Sequence, residues 1–485
     1  MSSYAVYVDC EVKLRRREFV LSGLLASASS TVSAWPSFFS SEETADIAIV
    51  GAGGAGLAAA LRASELIKGK IIVLEKNKHV GGSTLISGGY LGVVDPARQL
   101  PYGIYDSEEQ HFQDISSNAD NTGDPELIRH LVSKSKEMLE WLENAGMRFR
   151  PELIEIYGSH FPRCHVPEEP NGYGYISTLV NKSIQNNVEV RTGSPVMSLN
   201  TDKSGAVVGL TYLKDGKLQK INTNKGVILA SGGFGANPAM VAKFNSRLAG
   251  LTCNCAPGAT GEMLLQAEKC GAVLKDMDYI QCLPGVPSNG KIRVRFHNDI
   301  SRFILVNSDG RRFVKEDSRR DVLRDAVLAQ PGRSCFVIVD SEGFESYDLL
   351  MRRDAVRGIE TGDAFKGSTL KELAGKLGVP SENLINSVEE YNRLCSNTLL
   401  ANQHHPIVKA PFWAAKSSMS IHYTMGGISI NSFAECLNGR RKAIAGLLAA
   451  GECTGGVHGK NRIGANGICD ALTFGMTAAE TLISK

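Results

Sequence analysis

The clearest chemistry in this sequence lies in ADIAIVGAGGAGLAAALRASELIKGKIIVLE, residues 45–75. Gly51, Gly53 and Gly56 form a GxGxxG run behind the apolar stretch Asp46–Val50. In such a turn the first glycine makes the bend, the second lets a pyrophosphate approach backbone N–H groups, and the third packs helix on strand. The helix that follows, Leu57–Leu66, offers its N-terminal donors and dipole to the phosphates. Lys70–Leu74 reads as the next strand, and Glu75 closes it as the acceptor for ribose hydroxyls. With strand, helix, second strand and acid in register, the motif predicts a dinucleotide-binding βαβ unit.

The continuation selects the dinucleotide. NKHVGGSTLISGGYLG follows Glu75 at once, with Gly81 and Gly82, Ser83 and Thr84, then Gly88 and Gly89. A second glycine run is what a flavin site needs, where backbone must approach the far side of the pyrophosphate and the ring; this favours FAD over NAD. Val188–Leu199 reads as a strand pair opening a small sheet, and Gly226–Asn237 as a buried strand ending in a glycine turn. Ala256–Leu274 reads as a loop entering a helix, with Glu262 in its first turn. Residues 278–421 change character: a hairpin with a charged exit (FILVNSDGRRFVKEDSRRD), then helices. The strand Leu447–Ala450, a glycine loop and a terminal helix return to the nucleotide-binding pattern, so one domain is interrupted by another. HYTMGG, His422–Gly427, is either a strand meeting a tight turn or half of a carboxylate site beside the flavin. Gly426 and Gly427 are expected to let backbone approach the ring.

The chain's 485 residues allow two or three domains, and 43% hydrophobic content supports a large core. A net charge of +2 gives no support for a nucleic-acid partner. The N-terminus reads as an export signal: Arg15–Arg17, then Phe19 and Val20, a weakly apolar stretch, and a small-residue site ending at Ala34. It resembles the twin-arginine type, which implies export after folding to the periplasm, with residues 35–44 as a linker. No other run is long and apolar enough for a membrane span. Eleven cysteines occur without CxxC or CxxCH spacing, so neither a zinc site, an attached c-type haem nor a disulfide framework is expected.

Taken in order, GAGGAGLAAA, GGSTLISGG, ASGGFGAN, APGATGEML, DYIQ, ILVNSDGRRFVKE, HYTMGG and AAGECTGGVHGKNRIGANGICDAL resemble the soluble fumarate reductase flavoproteins and their relatives that reduce urocanate and other unsaturated acids. The resemblance covers residues 44–485. It implies an α/β architecture: a glutathione-reductase-like, Rossmann-type FAD-binding domain (45–277 and 423–485) interrupted by an α+β clamp (278–422). It also implies non-covalent FAD held at Gly51, Gly53, Ala55, Gly56, Glu75, Ser83, Thr84, Gly88, Gly89, Val196, Gly232, Glu262, Tyr423, Glu452, Gly467 and Ile468. In that family hydride passes from flavin N5 to one alkene carbon while an arginine gives a proton to the other; that arginine falls at Arg320, with Arg319 as its structural neighbour. His422 and Arg462 match the residues that hold one carboxylate, with Gly89 and Ala465 beside them. No metal is implied. Electrons must come from a separate protein, a cytochrome c or similar.

The departures concern the substrate. Leu283 stands where these enzymes place a histidine, and Arg295, Phe296 and Asp299 fall where they carry a Thr-Glu pair and an arginine. Two readings follow. Arg293 and Arg295 supply a different anion contact, or Leu283 and Phe296 form an apolar pocket suited to a mono-acid. The second disfavours fumarate, because an apolar pocket rejects a buried carboxylate. Asp299 is a candidate proton relay to Arg320. His160 and His165 are weaker candidates near the flavin, and His458 is expected to fix the loop carrying Arg462.

Overall fold

The computed structural model describes residues 39–155, 159–287, 289–297, 299–396 and 404–485. The export signal of residues 1–34 therefore lies outside the described residues. Residues Phe39–Lys485 form one compact unit. Its first layer is an eight-stranded sheet with the order Glu435–Leu437, Ala443–Ala449, Lys217–Leu229, Phe39–Val50, Ile71–Leu74 and Glu189–Arg191, extended by Val196–Thr201 and Val207–Lys214. The central strands run parallel, with Ile47 opposite Ile71 and Val50 opposite Leu74. Strands buried on both faces need continuous apolar runs, and Ile47, Ala48 and Ile49 are fully buried. The helix Gly54–Leu66 packs its alanines against the last helix, Asn466–Ser484, so closely that a Cβ at Gly475 would meet the carbonyl of Ala55 at 2.4 Å.

Two expectations need correction here. Phe39–Thr44, read as linker, is the first half of the strand Phe39–Val50, paired in parallel with Leu218–Asn222. The stretch Val188–Leu199 does not form a strand pair: Glu189–Arg191 joins Ile71–Leu74, whereas Val196–Thr201 pairs with Val207–Lys214.

The second layer is a six-stranded sheet organised on one long strand, Phe412–Thr424. Ser334–Val339, Ala364–Gly367 and Ile280–Gly285 pair with it antiparallel, and Thr252–Cys253 pairs parallel. A separate apolar cluster (Ile304, Val306, Ile338, Leu373, Leu384, Val388, Tyr391) lies under the helices Leu370–Leu377 and Ser381–Cys395. The segment between the two halves of the nucleotide-binding pattern thus has its own core. Its sheet also delivers residues to the site, because Phe412–Thr424 runs from that core to the glycines that follow it.

Candidate active site

The nucleotide-binding sheet and the second sheet enclose a cavity of about 1340 Å³. One end is a backbone cradle. Gly51 has φ +106°, and a Cβ there would meet the carbonyl of Ala230 at 2.3 Å, so only glycine fits the bend. Gly53 has open space above it, its nearest neighbour a carbonyl at 3.8 Å from a Cβ position. Gly56 does not face the cavity; a Cβ there would stand 1.9 Å from the carbonyl of Gly51, the helix-on-strand contact expected of the third glycine. Glu75 is buried, accepting from the Ala52 N–H at 3.0 Å and from Asn77. Ala55, Ser83, Thr84, Gly88, Gly89, Val196, Gly232 and Glu262 line the same cavity.

Two helix N-termini open on it. Gly53 caps Gly54–Leu66 and Ala465, in the left-handed region, caps Asn466–Ser484, neither with a side-chain hydrogen bond. Their N–H groups and dipoles favour negative charge in the cavity. Ala465, Gly467 and Ile468 line it at the second terminus. Glycine cradle, buried acid and two uncapped termini fit a dinucleotide such as FAD.

At the far end the expected acid-binding residues come together. Arg462 is 6% exposed, with its guanidinium 4.4 Å over the Tyr423 ring. Tyr423 is itself fixed, its hydroxyl donating to Asp470 at 3.3 Å, and His458 packs edge-on against it. Arg320 begins the helix Arg320–Leu328. The Oε1 of Gln281 accepts from Arg320 Nη1 at 2.8 Å and from Arg462 Nη2 at 3.0 Å. A neutral carboxamide therefore holds two cations side by side without cancelling their charge. Arg319, next to Arg320, instead pairs with Asp120 and Asp321.

His422 owes its aim to a register shift. Gln281 pairs with Tyr423 and Cys282 with Ile421, which leaves His422 as the extra residue of a bulge, facing the cavity. Its Nδ1 lies 2.9 Å from the Asn254 side chain. Burial, then the charges of Arg462, Arg320 and Arg293, hold the imidazole well below its ordinary pKa, so it is neutral. The partner is the Asn254 Oδ1, so a neutral ring donates from Nδ1–H and leaves Nε2 as an acceptor. Glu452 accepts from the Thr424 N–H, and its burial pushes its carboxyl up to about 7.

Some expected residues are placed otherwise. Phe296 does not line the cavity; it is 1% exposed in an aromatic cluster with Tyr347, Phe344 and Trp413. The reason is alternation: Arg293, Arg295 and His297 face the cavity, and Val294 and Phe296 face the core. Leu283 does line it. Asp299 lines it too, but accepts from Ser301 and pairs with Arg302, so it serves its loop rather than Arg320. Gly426 and Gly427 approach protein, not flavin: Cβ atoms there would meet the carbonyls of Asp276 and Cys453 at 2.3 Å. His160 is exposed beside Asp114, and His165 is buried against Asp95; neither lines the cavity. Gln281, Asn254 and His297 were not singled out from sequence.

No described helix is long and apolar enough to cross a membrane, and no described group of His, Cys, Asp and Glu could hold a metal. The FAD binding domain family matches residues 46–468. The chain is 33% identical over 445 residues to a fumarate reductase (cytochrome) of Shewanella frigidimarina, covering 90% of this chain and 77% of that one. It is 35% identical over 454 residues to a urocanate reductase of Eggerthella lenta, covering 89% and 73%. Among solved structures, the open conformation of a flavocytochrome c3 fumarate reductase superposes with a TM-score of 0.78 at 31% identity, covering 93% of this chain and 79% of that one.

Proposed function

The chain belongs to the FAD-binding flavoprotein family, in the branch of the soluble fumarate reductases, and on that premise we propose that it reduces the C=C bond of an α,β-unsaturated carboxylic acid. The observation that carries this reading is the convergence of Arg320 and Arg462 on Gln281 Oε1, beside His422. Gly51, Gly53, Glu75, Ser83 and Thr84 would hold FAD non-covalently, and the bound flavin would supply hydride from N5. Arg462 grips one substrate carboxylate with its planar fork, and His422, protonated from solvent as the anion binds, donates to it from Nε2. Together they draw charge into that carboxylate as hydride arrives at the β-carbon, stabilising the developing enolate. Arg320, half-buried, gives a proton to the α-carbon and is recharged by proton transfer from its surroundings. Residues 278–422 act as the clamp that closes over the substrate and excludes water.

Leu283 presents an apolar wall, and Asp299 is committed to Ser301 and Arg302. The contacts for a four-carbon diacid are thus missing, and the substrate is an acid other than fumarate. Two other readings fare less well. A dehydrogenase of the ketosteroid type needs a tyrosine acid or base, but the Tyr423 hydroxyl is tied to Asp470 and its ring is covered by Arg462. A non-catalytic electron carrier leaves Arg320, Arg462 and His422 without a purpose. The N-terminal signal directs the protein to the periplasm, where a cytochrome c or similar redox protein supplies electrons. The test is anaerobic turnover with reduced methyl viologen and a panel of enoates. Dye oxidation with formation of the saturated acid is expected; oxidation by no enoate overturns the proposal.

A further inference from the structure

Arg293 and His297 take no part in the chemistry above. Both face the cavity, carried there by the two-residue alternation that buries Val294 and Phe296. Arg293 donates to the Pro284 carbonyl at 3.2 Å, but its Nε is buried without a partner. No carboxylate of the described residues lies within ion-pair distance of it. The acids of the same wall are engaged elsewhere: Asp299 with Ser301 and Arg302, Asp348 with the Met351 N–H, Glu316 with Arg312 and the Leu305 N–H. Arg295 shares Asp354 at 3.6 Å, which leaves Arg293 as the unanswered charge. His297 Nδ1 is likewise buried without a partner. Burial, then Arg293 and Arg295, push that imidazole down to about 3, so it is a neutral hydrogen-bonding group beside the cation.

A largely desolvated guanidinium without a counter-ion is costly, and an anionic ligand removes that cost. Its place relative to the first carboxylate site can be read along one strand. Gln281, which holds Arg320 and Arg462, and Pro284, which anchors Arg293, both lie on Ile280–Gly285. At the usual strand rise they stand about 10 Å apart. Arg293 lines the same cavity as His422, Arg320 and Arg462, so the two anchors face one ligand space. Leu283 lies between them on the strand and lines the cavity, giving the middle of the ligand an apolar wall.

We propose that Arg293, with His297 beside it, forms a second anion subsite, and that the substrate is an unsaturated carboxylic acid carrying a second carboxylate well beyond the alkene. This rests on the reductase reading above and names the substrate class for it. A mono-acid leaves Arg293 buried without a counter-ion.

The test is binding of saturated acids to the FAD-loaded oxidised protein, read by perturbation of the flavin spectrum. Glutarate and adipate are compared with butyrate and hexanoate. At least one diacid is expected to bind about 30-fold tighter than its mono-acid counterpart, the scale of one buried charge-assisted contact. Arg293→Gln should bring that diacid down to the mono-acid, and Arg293→Lys should restore part of the difference. A wild-type protein that binds mono-acids as well as diacids overturns the subsite, as does a diacid preference that survives in R293Q. If R293Q does not fold, His297→Leu must at least narrow the preference, and a preference unchanged there also counts against it. Diacid preference without reduction of any enoate would sink the reductase reading and leave the subsite standing; reduction of mono-acids alone would do the reverse.

Discussion

Replacing Gln281 by glutamate changes one atom type and one unit of charge at the centre of the site. Gln281 Oε1 is 2.8 Å from Arg320 Nη1 and 3.0 Å from Arg462 Nη2, so Gln281→Glu fits the same space. The new carboxylate pairs with both arginines and answers the charge that otherwise attracts substrate. A substrate carboxylate on the far side of the guanidiniums lies on the order of 6 Å from that oxygen; at an effective dielectric of about 20 the repulsion is about 3 kcal/mol. That is about a 100-fold loss of affinity. Q281E should therefore load FAD normally, judged by its visible spectrum, and raise KM for the enoate and Kd for a saturated acid by that factor. Affinities within about threefold of wild type would refute the claim that Gln281 preserves the positive charge of the arginine pair.

Other consequences follow from the same geometry. Gly51→Ala places a methyl group 2.3 Å from the Ala230 carbonyl in a left-handed bend, so the variant should purify without flavin absorbance or fail to fold. Arg462→Lys removes the fork while keeping the charge, and should cut kcat/KM at least tenfold with FAD content unchanged. Burial raises the Glu452 carboxyl from 4.5 to about 7 in the folded protein. Its contribution to stability is full below the unfolded value and is lost as pH rises through about 7, up to about 3 kcal/mol. Thermal unfolding of the flavin-free protein should thus fall in Tm between pH 5 and 7.5, and Glu452→Gln should flatten that slope.

How much of this was legible in the sequence differs by residue. The βαβ unit was, because strand, glycine turn, helix and acid are local and contiguous between Asp46 and Glu75. Arg320, His422 and Arg462 are drawn from three separated motifs into one cavity, and the order of those motifs along the chain pointed to them. Counting along the chain puts Phe296 in the pocket, but in RVRFH the polar residues share one face and Phe296 takes the other. The bulge at His422 depends on the register of Ile280–Gly285, which no local pattern reveals. The bridging role of Gln281 also depends on contacts distant in sequence. The polar run SSEET gave no strand signal, since Phe39–Thr44 is ordered by its partner Lys217–Leu229 rather than by its own periodicity.

The central claim is that an enoate takes hydride from bound reduced FAD and a proton from Arg320. It is tested most directly by stopped-flow mixing of anaerobically reduced protein with a two-carboxylate enoate, wild type beside Arg320→Ala. Stoichiometric flavin reoxidation is expected in the wild type, slowed at least about 100-fold in R320A by loss of the proton donor, with FAD content and binding of a saturated diacid retained. Reoxidation at the same rate in both proteins would contradict it.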